Sequence, residues 1–174
     1  SFALICFSLC LHSLATDVES KNIVQSLERE FGDFVALQDF EHSGGYGHSI
    51  DYGYIVDRQS RVRVFVYDLN KESVDDEDLE AEFDSSVAGV LRDFGKMPGF
   101  EVQKKKESLA LDEDKLAIHT ATFKYENASS SIVFTNSNNK FIKLAITTSR
   151  DGFDEIKLPA LDLLKHVIEK TKKP

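Results

Sequence analysis

His42 and His48 flank a glycine-rich turn, Gly44-Gly45-Tyr46-Gly47, and Asp51 follows three residues later. Imidazole and carboxylate groups bind zinc and transfer protons near neutral pH. His42, His48 and Asp51 are therefore the candidate metal or acid–base set. Opposite arms of a hairpin can bring two histidines face to face. Zinc, however, wants three or four protein ligands, and this set offers two or three. A second set is aromatic. Tyr46, Tyr52, Tyr54, Phe65 and Tyr67 fall on two expected neighbouring strands and the turn before them, where they could line a groove for a small ligand.

Other chemistry fails on spacing. The acidic run Asp75-Asp76-Glu77-Asp78, with Glu80 and Glu82, invites a calcium loop counted from Asp68. Ser73 then falls where such a loop needs Gly, and Leu79 where it needs the bidentate Glu. The run reads instead as a helix start with a solvated acidic side. The glycine turn lacks the Lys-Ser/Thr end of a phosphate loop and opens no helix, so it reads as a hairpin turn. No Gly-x-Ser-x-Gly elbow and no His-Glu-x-x-His pair occurs. His119 alternates with Ala121 and Phe123, as a satisfied sheet histidine does, and His166 sits in the polar part of a final helix. No catalytic residue and no cofactor is expected.

The elements that must carry these residues follow from periodicity. Thr16 to Phe31 reads as a helix, with Thr16 and Glu19 as capping box and Ile23, Val24, Leu27 and Phe31 at helical spacing. Strands are expected over Val35 to Glu41 and through the alternating Ile50, Tyr52, Tyr54 and Val56. The clearest strand sets Val62, Val64 and Val66 against Arg61, Arg63, Phe65 and Tyr67. Ser73 is the expected cap of a helix whose stripe is Leu79, Phe83, Val87, Val90, Leu91 and Phe94, with Gly95 ending it. Further strands are expected at Phe100 to Leu109, Lys115 to Glu126, Ser130 to Thr135 and Phe141 to Thr148. A last helix has Pro159 in its first turn and Leu161, Leu164, Val167 and Ile168 inward. The pattern predicts an α+β domain: an antiparallel sheet of six to seven strands with amphipathic helices to cover it.

The run Val62-Arg63-Val64-Phe65-Val66-Tyr67-Asp68-Leu69, the following helix with Glu82-Phe83, and the closing hairpin and helix resemble a group of uncharacterised exported bacterial proteins. These look like the Mog/PsbP superfamily, and the resemblance spans most of residues 34 to 170. It implies an α/β/α sandwich. It also implies binding or assembly rather than catalysis, since the superfamily includes a Ran-binding import factor, a photosystem II subunit and an envelope lipoprotein.

Residues 1 to 15 carry no charge and end in Ser13-Leu14-Ala15, the pattern of a secretory leader and its cleavage site. The chain opens on Ser without a basic flank, so the leader reads as clipped. Domain organisation is then leader 1–15 and a single globular domain 16–174. Both cysteines, Cys6 and Cys10, lie in the leader, which leaves the mature part cysteine-free, without disulfide or thiolate. Cys10 raises a lipoprotein alternative, though Leu9 stands where that pattern wants a small residue. Asn127-Ala128-Ser129 is a glycosylation sequon, meaningful in a eukaryotic source. The net charge of −9 repels a phosphate backbone, so nucleic acid is not an expected partner. Lys104 to Lys106 and Lys170 to Lys173 read as solvated clusters. No transmembrane segment is expected in the mature chain, and its location is periplasmic or extracellular. The first functional expectation is a non-catalytic envelope binding or assembly module with a protein or small-molecule partner. A small-ligand carrier using the aromatic groove is the alternative, and a hydrolase stands third.

Overall fold

Strict alternation in the strands produces one antiparallel sheet with two different faces. The computed structural model describes residues 18–43, 45–111 and 114–172. The proposed leader, Cys6, Cys10, Thr16 and Gly44 lie outside the described residues. A helix α1 (residues 18–25) precedes strands β1 (Glu30–Phe31), β2 (Phe34–Glu41), β3 (His48–Tyr54) and β4 (Arg61–Tyr67). Helix α2 (Asp76–Phe94) follows, then β5 (Glu101–Leu111), β6 (Asp114–Lys124), β7 (Ala128–Ser137), β8 (Lys140–Ser149) and helix α3 (Phe153–Thr171). The spatial order is β1-β2-β3-β4-β8-β7-β6-β5, with every neighbour antiparallel.

The sheet has eight strands, which corrects the expected six to seven. The additional strand is β1. Leu27 and Phe31 continue a helical spacing in the sequence, but α1 stops at residue 25 and the Ser26 hydroxyl donates to Ile23 O at 2.8 Å. Gly32 then takes φ +54, a conformation open to glycine, and Phe31 pairs with Phe34 across the turn. The expected sandwich is also incomplete. α3 lies on β7 and β8 on the first face, whereas α2 covers chiefly β6 and β7 on the second.

The first face carries the larger core. Ile50, Tyr52, Val62, Val64, Ile142, Leu144 and Ile146 from the sheet meet Ile156, Leu163, Leu164, Val167 and Ile168 of α3, with Ile23 and Val24 of α1. Fully burying such a side chain stabilises by about 1.5–3 kcal/mol. Pro159 lies inside α3 rather than in its first turn. It forfeits one backbone hydrogen bond, a loss offset by the apolar face packed on the sheet. The second core joins Leu79, Phe83 and Val87 of α2 to Tyr67, Phe123, Phe134 and Phe141. The cap of α2 is Asp75 rather than Ser73: Asp75 accepts from Asp78 N and Asp78 accepts from Asp75 N, a capping box. Among the described residues no helix is long and apolar enough to cross a membrane.

Candidate functional site

Among the described residues no helix lies over half of the second face, and its chemistry follows from register. Lys143 on β8 lies directly opposite Phe65 on β4 and directly opposite Phe134 on β7. Cross-strand neighbours on one face touch, so two phenyl rings wall the lysine. Its Nζ is 4.5 Å from the centre of Phe65, 5.5 Å from Phe134 and 5.6 Å from Tyr67. Burial pushes the Lys143 ammonium below its ordinary pKa, and the charge of Glu82 opposes that shift. The rings themselves favour the ammonium form, so walls and burial act in opposite senses. Tyr67 is fully buried and its hydroxyl donates to Glu82 Oε1 at 2.9 Å. Burial first, then the Glu82 charge, raises that hydroxyl far above its usual range and keeps it a donor.

Outward from Lys143 the open half continues on β2, β3 and β4. His42 Nε2 lies 2.8 Å from the Oγ of Ser49, itself fully buried. The His42 ring is 5.4 Å from Phe65, and burial, then the Arg63 charge, lowers its pKa. Arg63 grips its cross-strand partner Asp51 through both Nε and Nη2, the latter at 2.8 Å. Its guanidinium sits 4.6 Å above the ring of Phe40. A bulge after Ala36 frees Leu37, half exposed, whose Cδ atoms lie where a Cβ on Gly53 would meet them at 3.6 Å. The result is an open surface of aromatic rings, one alkyl group and basic heads. Such a surface can hold apolar groups and anionic ones side by side.

The candidate residues from the sequence are divided between the two faces. Tyr52 and Tyr54 belong to the first core with Phe34. Tyr52 donates to Glu28 O at 2.8 Å, and burial pushes its pKa up to about 12. Phe65, Tyr67 and Tyr46 stay on the second face, with Tyr46 half exposed and 5.6 Å from Tyr67. The five aromatics therefore do not line one groove. A groove of about 540 Å³ opens between α1 and the end of α3, and another of about 150 Å³ beside the start of α3; none of the five lines either. Alternation likewise separates the metal set. His42 and Asp51 share the second face, while His48 is buried with Ile50 on the other. Among the described residues no group of three metal-ligating side chains occurs.

The glycine turn is built to hold this site. Gly47 takes φ +57, and a Cβ there would strike Val66 O at 2.2 Å. Its carbonyl receives the His42 backbone N–H at 2.8 Å. His119 departs from its expected role: its Nδ1 is buried without a hydrogen-bond partner among the described residues, beneath the edge of Phe83. Lys143, Glu82, Phe40, Phe134, Ser49 and Arg63 are absent from the sequence-derived site. One signal was present: Lys143 interrupts an otherwise uncharged stretch, Phe141 to Ser149, on the face shared with Ala145.

No protein-family model matches the chain, and no curated protein matches it. Among solved structures it is similar to the solution structure of cyanobacterial PsbP (CyanoP) from Synechocystis sp. PCC 6803. Identity is 15%, the TM-score is 0.46, and the match covers 82% of each chain.

Proposed function

We propose that this chain is an exported, non-catalytic binding or assembly module whose partner docks on the open half of the second face. The observation that carries the reading is the uneven cover. α2 shields β6 and β7 but leaves Phe40, Arg63, Phe65 and Lys143 in partial contact with solvent. Aromatic rings and arginine are the groups that anchor protein interfaces. Phe40 and Phe65 beside the Arg63–Asp51 pair fit a partner surface that is chiefly apolar with a few polar groups at its rim. The division of the five aromatics favours this reading over a carrier groove. Export rests on the uncharged run Ser1 to Ala15, and N-terminal sequencing of natively produced protein is expected to begin at Thr16.

Native mass spectrometry of protein purified from its own source tests the docking surface. Wild type is expected to retain a partner that the Phe40→Ala/Phe65→Ala variant loses. Equal retention by folded variant and wild type would overturn the reading.

A further inference from the structure

We propose that Lys143 is a reactive amine that captures small aldehydes as a reversible imine on the open face of the sheet. The proposal is independent of the protein-partner reading. It rests on how Lys143 differs from every other shielded lysine. Among the described residues, Lys124, Lys140, Lys157, Lys165 and Lys170 are also drawn in from solvent, and each has a carboxylate oxygen at 2.7–3.5 Å. Among the same residues, Lys143 has no carboxylate within ion-pair distance and no hydrogen-bond partner. Its neighbours are Phe65, Phe134 and Tyr67, with Phe65 itself only half-buried.

Shielding without a counter-ion is how a lysine is kept partly neutral, and the neutral amine is the nucleophile. Burial lowers the Lys143 pKa and outweighs the opposite pull of the ring faces. Glu82 faces the amine from α2, and its charge holds the shift back. His42, just past the end of β2, and Arg63 on β4 flank the same surface. Tyr67 spends its proton on Glu82 and is assigned no part in the reaction. The aromatic walls select the electrophile: an aldehyde bearing an apolar or aromatic substituent can lie against Phe65 while its carbonyl carbon meets Nζ.

The step balances without oxidant or reductant. The amine lone pair forms an N–C bond as the carbonyl π pair moves to oxygen, which takes a proton from water. The nitrogen gives up one proton to the hydroxide so formed and its second to the departing hydroxyl, which leaves as water, and an imine remains. The sum is amine plus aldehyde giving imine plus one water.

The test uses the full chain, benzaldehyde as probe, and cyanoborohydride to reduce any imine to a stable benzylamine at pH 7. Peptide mapping by mass spectrometry then reads each lysine. Lys143 is expected to label faster than the exposed Lys21 and Lys96, since a lowered pKa raises the share of free amine at a given pH. Lys143→Arg should remove that adduct alone. Glu82→Gln, which keeps an acceptor for Tyr67 but withdraws the opposing charge, should raise Lys143 labelling severalfold. Labelling that follows exposure, with Lys21 and Lys96 ahead, would overturn the proposal, as would a Glu82→Gln protein that labels Lys143 no faster.

Discussion

Phe65 stands directly opposite Lys143 in the β4–β8 ladder, and the lysine Nζ lies 4.5 Å from the centre of its ring. That contact makes Lys143 a charge held against apolar surface, with no ion-pair partner among the described residues. Its folded pKa is depressed below the ordinary value of 10.5. Between the folded pKa and 10.5 the unfolded chain binds the extra proton, so stability should rise with pH across that window. Resonances of the Lys143 side chain should titrate below 10.5. Lys143→Met should leave stability unchanged or raise it by about 1 kcal/mol in urea denaturation. A loss of more than that would mean the ammonium is held by something stronger than the rings.

Lys140 is the opposite case. Its Nζ lies 2.7 Å from Asp68 Oδ2 and 2.9 Å from Glu19 Oε2, and the lysine and Asp68 side chains are only 3% and 4% exposed. Removing one partner strands a buried charge, so Lys140→Met should cost about 3–5 kcal/mol. Lys140→Met/Asp68→Leu should recover most of that loss. Equilibrium denaturation of wild type, Lys140→Met, Asp68→Leu and the double variant gives the coupling.

Helix α2 is fixed by its stripe more than by its cap. Phe83 is 2% exposed and meets Phe134 and His119 edge-on. Phe83→Ala should cost about 3–5 kcal/mol. Asp75→Ala, which removes one side of an exposed capping box, should cost about 1 kcal/mol. If the order is reversed in guanidinium denaturation, the α2 face is not what holds it down.

Glu28 supplies an acid-range signature. Hydrogen bonding from Lys170 chiefly, and from His166, holds its carboxyl at about 2 against an ordinary 4.5. A depressed carboxyl stabilises above the unfolded pKa and loses that contribution as pH falls through the folded one. The stability difference between wild type and Glu28→Gln in urea denaturation should therefore be full above pH 4.5 and vanish towards pH 2. Its size should be about 1 kcal/mol at most, because Glu28 is 47% exposed and solvent screens the pair.

The strands were legible because period-two alternation was strong in β3, β4 and β8, where valine and isoleucine mark the first face. β1 was not, because two residues carry no period and Phe31 completed a helical spacing by coincidence. The cap at Asp75 was missed because Ser73 is an equally good cap by type, and only the backbone decides which turns first. The site was legible residue by residue but not as an assembly. Tyr52 and Phe65 looked equivalent as strand aromatics, yet alternation and the order of strands send Tyr52 into one core and Phe65 to the open face. Lys143 stood out as the one charge between Phe141 and Ser149, but its aromatic walls became visible only once β8 was known to lie between β4 and β7, a pairing that no local pattern encodes.

A photo-cross-linking amino acid placed at position 65, with a control at the exposed Leu158 on α3, tests most directly whether the open half-face is the binding surface. Expressed in the native host and irradiated, the position-65 protein should yield one discrete higher-mass adduct that the position-158 protein lacks. No adduct at position 65, or the same adduct from both positions, would contradict it.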